Sequence, residues 1–158
     1  MNAPERLSKD TLFLADTHEV INVSRELVDY NPYLQDKALQ EAVQREGAGW
    51  AHEQLTAFGR LTGSADYIEL GVLANRNPPE LDTHDRFGNR VDLVRFHPAY
   101  HTLMKTSIEH GLHASPWSDP GPGAHVARAA RVYMHSQVEA GHQCPVTMTF
   151  AAVPSLRT

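Results

Sequence analysis

The 158-residue chain carries one cysteine, no excess of positive charge and no long apolar run. A lone cysteine, Cys144, cannot close an internal disulfide, which excludes a disulfide scaffold and suits a reducing compartment. Lys and Arg number 14 against 19 Asp and Glu, for a net charge of −5, so the basic footprint of a dedicated nucleic-acid binder is missing. No stretch approaches the roughly 18 consecutive apolar residues of a membrane span. The opening MNAPERLSKD lacks the apolar core of a secretory signal, so a cytoplasmic location is expected and the sequon Asn22-Val23-Ser24 reads as chance. There is no Gly-x-Ser-x-Gly elbow. The carboxylates Glu46, Glu69 and Glu139 read as single and unpaired, which leaves no acid–base dyad to argue.

What is present is a globular composition, 41% hydrophobic and 21% charged, in a length that fits one domain with a real core. Residues 1 to 16 show no sustained period and read as a mobile arm. Residues 17 to 30 hold a short apolar alternation that fits a strand or a helical turn equally well. Helical grammar begins near Asn31, with Asp36 as a cap for KALQEAVQRE, Leu39 and Val43 on one stripe and Gly47 as the stop. A second helix is predicted from Trp50 to about Leu61, placing Leu55, Phe58 and Leu61 at three-residue spacings. A third is capped by Ser64, carries Tyr67, Ile68, Leu70 and Leu73, and ends by Asn77-Pro78-Pro79.

Gly88-Asn89 marks a turn before the strand-like Val91, Leu93 and Val94, which predicts a small hairpin or Ω-type excursion. Pro98 suits the first position of a fourth helix bearing Tyr100, Leu103, Met104, Ile108 and Leu112. SPWSDPGPG reads as loop. A fifth helix is predicted from Ala124 to Ala140, with Val126, Ala130, Tyr133 and Gln137 on one stripe and Arg128, Arg131 and His135 on another. Val146-Thr147-Met148-Thr149-Phe150 is β-branched and strand-like. A lone strand after five helices is expected to be the first strand of something beyond the chain.

Ten histidines raise the question of a metal. His97 and His101 stand four apart, but Pro98 occupies the place where a zincin signature needs Glu, and His97 reads as a helix cap. His110 and His113 straddle a helix end. Neither pair has a Cys or carboxylate cluster beside it, so no metal site is expected. Gly121-Pro122-Gly123 opens a helix, yet Pro122 removes an amide that a phosphate-cradling loop would use, so its plain reading is a loop and helix start. Cys144 reads as a small, partly buried residue at a helix–strand junction, and Arg128 and Arg131 as a solvated or interface face. These residues alone describe a helical domain without an active site.

Four segments together carry a resemblance: AVQREGAGW (42 to 50), ELGVLANRNPPEL (69 to 81), VRFHPAYHTLM (94 to 104) and ARAARVYMHSQVEAGHQCPVTMTFA (127 to 151). In order and spacing they resemble the N-terminal region of the AidB-type branch of the acyl-CoA dehydrogenase superfamily, over roughly residues 31 to 158. NRNPPEL and FHPAYH are specific to that branch. The implied fold is mainly α: an acyl-CoA dehydrogenase-like helical N-terminal domain (31 to 143) behind an N-terminal arm (1 to 30). Residues 144 to 158 would start a middle β-barrel domain that is otherwise absent.

By the same resemblance the cofactor is FAD, and the flavin-contacting stretch aligns with Met148 to Pro154. The Met148 backbone and Thr149 hydroxyl are the expected contacts, with Ala151 and Pro154 in the same segment. A Thr hydroxyl and strand amides suit an isoalloxazine edge, which offers donors and acceptors. Phe150 stands where the common pattern has Glu, in keeping with the AidB branch. The catalytic carboxylate, most dinucleotide contacts and the DNA-binding basic surface belong to the missing C-terminal domain, so no catalytic residue is expected in this chain.

The implied function is the N-terminal part of an FAD-binding protein of the DNA alkylation response, incomplete and inactive alone. Its implied partners are the rest of the flavoprotein and sibling subunits in a homotetramer. DNA would be met through the absent domain, and no membrane is involved. Two alternatives stay open: a fragment of a metabolic short- or branched-chain acyl-CoA dehydrogenase, and a non-enzymatic helical interaction module.

Overall fold

Asp36 starts the helical part of the chain by accepting the Leu39 amide at 2.8 Å, satisfying one of the orphan donors of a helix N-terminus. The structure, a computed structural model, describes residues 21–157. Helix α1 (Lys37–Arg45) stops before Gly47, which takes φ of 77°. A 3₁₀ turn (Gly49–Ala51) leads into α2 (His52–Thr62). Ser64 then caps α3 (Ala65–Arg76) from its side chain, and the two prolines after Asn77 prevent its continuation. The expected arm lies largely outside the described residues, and residues 21–30 form neither a strand nor a helix.

Strands β1 (Glu80–His84) and β2 (Arg90–Arg95) pair antiparallel through the predicted turn at Gly88-Asn89. The register slips between Asp82 and His84, opposite Asp92, which sits at φ 44° in the left-handed region as a bulge residue would. Arg95 reaches Glu80 and Asp82 on one face of the hairpin. His97 accepts the Ala99 amide and opens α4 (Pro98–Glu109), with Pro98 at the start as expected. A single turn, α5 (Ser115–Ser118), precedes α6 (Ala124–Ser136) and α7 (Gln143–Leu156). No described helix is long and apolar enough to cross a membrane.

The core lies between α1, the 3₁₀ turn, α2 and α6, where Tyr33, Val43, Ala48, Ala51, Leu55, Phe58, Leu112, Ala127, Ala130, Met134 and Val146 close on one another. Gly123 brings α6 onto this layer. It holds φ at 72°, and a Cβ there would overlap the Gly47 carbonyl, so the Gly-Pro-Gly stretch is a turn built for close backbone approach. α3 packs on α4, and α4 on the start of α7.

Several expectations fail for physical reasons. SPWSDPGPG is not all loop, because Pro116 fits the first turn of α5. The expected α6 stripe holds in part: Ala130 is buried and Val126 packs on the core, but Tyr133 and Gln137 face out, while Ala127, Arg131, Met134 and His135 face inward. Small alanines there admit α2 closely, and the polar groups among them find partners. The helix also ends at Ser136 rather than Ala140, and Gly141 lies in the turn before α7.

The largest correction concerns residues 146–150, which are helical and not a strand. A strand's N–H and C=O groups need a neighbour, and among the described residues the sheet consists of β1 and β2 alone. A helix satisfies those groups within the segment, which outweighs a strand propensity that is weak and context-dependent. The two prolines are accommodated. Pro145 lies in the first turn, where an N–H would be unused. Pro154 withdraws the donor for the Phe150 carbonyl, and the Trp117 indole N–H takes that carbonyl at 2.9 Å. Cys144, in the first turn of α7, is exposed rather than partly buried.

Candidate functional site

The expected flavin contacts Met148, Thr149, Ala151 and Pro154 all lie on exposed positions of α7. The Thr149 hydroxyl donates to the Pro145 carbonyl at 3.0 Å. Main-chain amides in a helix are committed within it, so the helical form does not present the donors that a flavin edge would take. As they stand, these residues do not fit the cofactor.

The densest chemistry is elsewhere, at the junction of α6 and α7. His135 ends α6 on its buried side. Six residues on, the turn closes with Gly141, and His142 and Gln143 open α7. Glu139 organises this turn. One carboxylate oxygen accepts the Gly141 amide at 2.6 Å, and the other accepts the His142 amide and the His142 Nδ1, both at 2.8 Å. Its negative charge sits at the start of α7, where the helix dipole favours an anion. The expectation that Glu139 stands unpaired is therefore wrong.

Because Glu139 accepts from Nδ1, His142 turns a lone pair outward at Nε2. His135 Nδ1 lies 3.2 Å from His142 Nε2. The Gln143 side-chain nitrogen spans the two, 2.9 Å from His142 Nε2 and 3.0 Å from His135 Nδ1. That amide nitrogen only donates, so both imidazole nitrogens accept. The Ser107 hydroxyl of α4 also reaches His135 Nδ1, at 3.1 Å. The hydrogen of His135 is then on Nε2, directed at the Tyr67 hydroxyl of α3 at 2.8 Å. Phe58 of α2 closes the site with its ring edge-on to His135. Gly71 lets the backbone draw in, since a Cβ there would overlap the Val138 carbonyl.

Burial governs the protonation of this cluster. His135 is wholly shielded from solvent. Desolvation, then the neighbouring His142 and His110, hold its pKa down to about 3 against the opposing pull of Glu139. Desolvation also lowers His142, although Glu139 opposes it through both a hydrogen bond and its charge. Burial pushes the Glu139 carboxyl up, but bonds from the His142 and Gly141 amides and the His142 ring outweigh it, and the net shift is downward. Burial raises the Tyr67 phenol to about 12. The cluster is thus an ionised carboxylate and two neutral imidazoles. It is sealed from solvent, so it organises the domain and offers no surface for a substrate. Among the described residues, no group of three or more His, Cys, Asp or Glu side chains is arranged to hold a metal ion.

Sequence reasoning assigned the histidines to caps and helix faces and missed this cluster. The signal was His135, Glu139 and His142 at intervals of four and three, on a face taken as polar. Arg131 and Arg128 also depart from the solvated reading. Arg131 is buried, with its guanidinium on the Gln54 side-chain oxygen at 2.6 Å. Arg128 stacks over Phe150 at 3.5 Å and donates to the Leu112 carbonyl.

Comparison with known proteins gives these residues a context. Residues 22–158 match the family model of the adaptive response protein AidB N-terminal domain. The chain is 53% identical over 141 residues to AidB of Escherichia coli strain K12, which carries the name of an acyl-CoA dehydrogenase. That alignment spans 89% of this chain and 26% of the relative, so the chain covers about a quarter of the length of the curated protein it matches. Two solved structures share the fold. The apo form of Bd2924 has a TM-score of 0.76 at 24% identity, over 85% of this chain and 28% of that one. Caenorhabditis elegans ACDH-11, crystallised with C11-CoA, has a TM-score of 0.75 at 24% identity, over 89% and 25%.

Proposed function

The chain belongs to the AidB N-terminal domain family, and from that membership we propose that it serves as the helical N-terminal domain of an FAD-binding protein of the DNA alkylation response. The observation that carries this reading is the family match over residues 22–158 together with 53% identity to the Escherichia coli protein. On this reading residues 1 to 30 are an arm, 31 to 143 the helical domain, and 144 to 158 the passage to the next domain. The catalytic base and the DNA-contacting surface lie outside these residues. Assembly is a cytoplasmic homotetramer. The acidic balance of the chain agrees with a DNA contact made elsewhere.

The flavin role of Met148, Thr149, Ala151 and Pro154 requires the segment to leave its helical form in the whole protein, freeing the Thr149 hydroxyl and the strand amides. The test is the whole protein purified with and without Thr149→Val. The parent is expected to hold FAD, and the variant to lose flavin affinity by about tenfold, the scale of one hydrogen bond to a cofactor. Salt-sensitive DNA binding by the parent is expected alongside. A colourless whole protein that ignores DNA at low salt overturns the reading. Robust dye-coupled oxidation of short acyl-CoA esters without DNA binding would move it to a metabolic acyl-CoA dehydrogenase.

A further inference from the structure

α7 is joined to the domain at two places that differ in kind. At its start, Gln143 donates to the two facing imidazoles, and His142 is tied to Glu139. Midway, Phe150 lies against Trp117 and under Arg128, and Arg157 reaches the Trp117 carbonyl. Of the eleven core residues only Val146 comes from α7, so the layer of α1, α2 and α6 keeps nearly all of its apolar contacts without it. The rest of α7 carries exposed apolar side chains, Met148 at 68% and Leu156 at 82%.

We infer that the His135–His142 pair is an acid-sensitive latch: with both imidazoles neutral it fixes the start of α7, and uptake of a proton releases residues 143–157 while α1 to α6 stay folded. The reason is one of hydrogen-bond roles. Both imidazole nitrogens accept from the same Gln143 amide. A proton entering between them, where they stand 3.2 Å apart, turns one acceptor into a donor and takes the place of both Gln143 bonds. The Gln143 side-chain oxygen already has no partner, and turning the amide to offer that oxygen to the new N–H leaves the NH2 unpaired in its place, so one end of the buried amide stays unsatisfied while the site gains a buried charge, and both costs oppose keeping Gln143 in place.

The surrounding groups do not supply another way to hold the charge. From α3 the Tyr67 phenol faces His135, and from α4 the Ser107 hydroxyl does so, all three neutral. His110 at the end of α4 is an unfavourable neighbour for a positive charge on His135, and the Arg131 cation on α6 in turn disfavours charge on His110. Glu139 is the carboxylate within reach, and it already accepts three hydrogen bonds. The aromatic anchor holds the cations Arg128 and Arg157 and one imidazole, His125, which is exposed beside Trp117 and Phe150.

Trp117 reports on α7 directly. The test uses the 158-residue chain with Trp50→Phe, which leaves Trp117 as its one tryptophan. Emission and far-UV circular dichroism are followed from about pH 8 to about pH 4, across the histidine range. The expected result is a red shift of Trp117 emission at least about one pH unit above the loss of the bulk helical signal. His125→Gln is expected to leave that step in place, and His135→Gln combined with His142→Gln to abolish it. NMR titration of the parent chain reads the two imidazoles without any core substitution, and they are expected to protonate together with the emission change. Coincidence of the emission step with bulk unfolding overturns the latch. So does loss of the step in His125→Gln, or titration of both imidazoles as ordinary histidines with Trp117 unmoved.

Discussion

The Tyr67 hydroxyl and His135 Nε2 meet at 2.8 Å in the buried interior, 68 residues apart in sequence, and so tie α3 to the end of α6. The bond gives the Nε2 hydrogen its acceptor and leaves Nδ1 free to receive Gln143 and Ser107. Tyr67→Phe keeps the ring and removes the acceptor. The buried N–H of His135 is then unsatisfied, at a cost of about 1–3 kcal/mol. Urea unfolding at neutral pH should show a lower midpoint with an unchanged slope; an unaltered midpoint would mean that His135 finds another acceptor.

The pH dependence of stability follows from the same histidine. His135 has its pKa lowered in the fold, from 6.5 to about 3. The unfolded chain therefore binds the proton first, and the contribution to stability is complete above about pH 6.5 and is lost as pH falls below it. His142 shifts in the same direction and adds to the effect. The unfolding free energy should fall by on the order of 1 kcal/mol per pH unit for each proton taken up. Denaturant melts from neutral pH down toward pH 5 check this. A flat profile would contradict the neutral state of the pair.

Gly71 tests the packing that builds the cluster. Alanine favours a helix interior over glycine by about 1 kcal/mol. Here the added Cβ meets the Val138 carbonyl, which is backbone and cannot swing away. The clash should prevail, and Gly71→Ala should destabilise by about 1–3 kcal/mol in thermal or urea melts. A stabilised variant would show that the turn after α6 gives way freely.

Ser64 offers a simpler local test. Its hydroxyl accepts the Tyr67 amide at the start of α3. Ser64→Ala should cost about 1 kcal/mol, and Ser64→Asp should retain most of the stability. Equal losses in both variants would point to a role for Ser64 other than capping.

Much of the fold was legible in local chemistry. Asp36 and Ser64 as caps, Pro98 at a helix start, the prolines after Asn77 and the turn at Gly88-Asn89 are short-range effects that need no knowledge of neighbours. The inward face of α6 was harder to read, because Arg131 and His135 are polar by type and buried only because Gln54, Tyr67 and Ser107 meet them from other helices. Of the expected flavin segment, the sequence showed its β-branched character but not its conformation.

By itself, then, the sequence determined the helical class, most element boundaries, the hairpin and the family segments, because capping, proline stereochemistry and turn preferences act within a few residues. Only the tertiary structure decided the protonation and partners of His135, Glu139 and His142. It also decided that residues 143–156 are a helix. Both outcomes depend on which groups from distant parts of the chain are available: acceptors for a buried imidazole in one case, and an adjoining strand in the other, which the described residues do not supply.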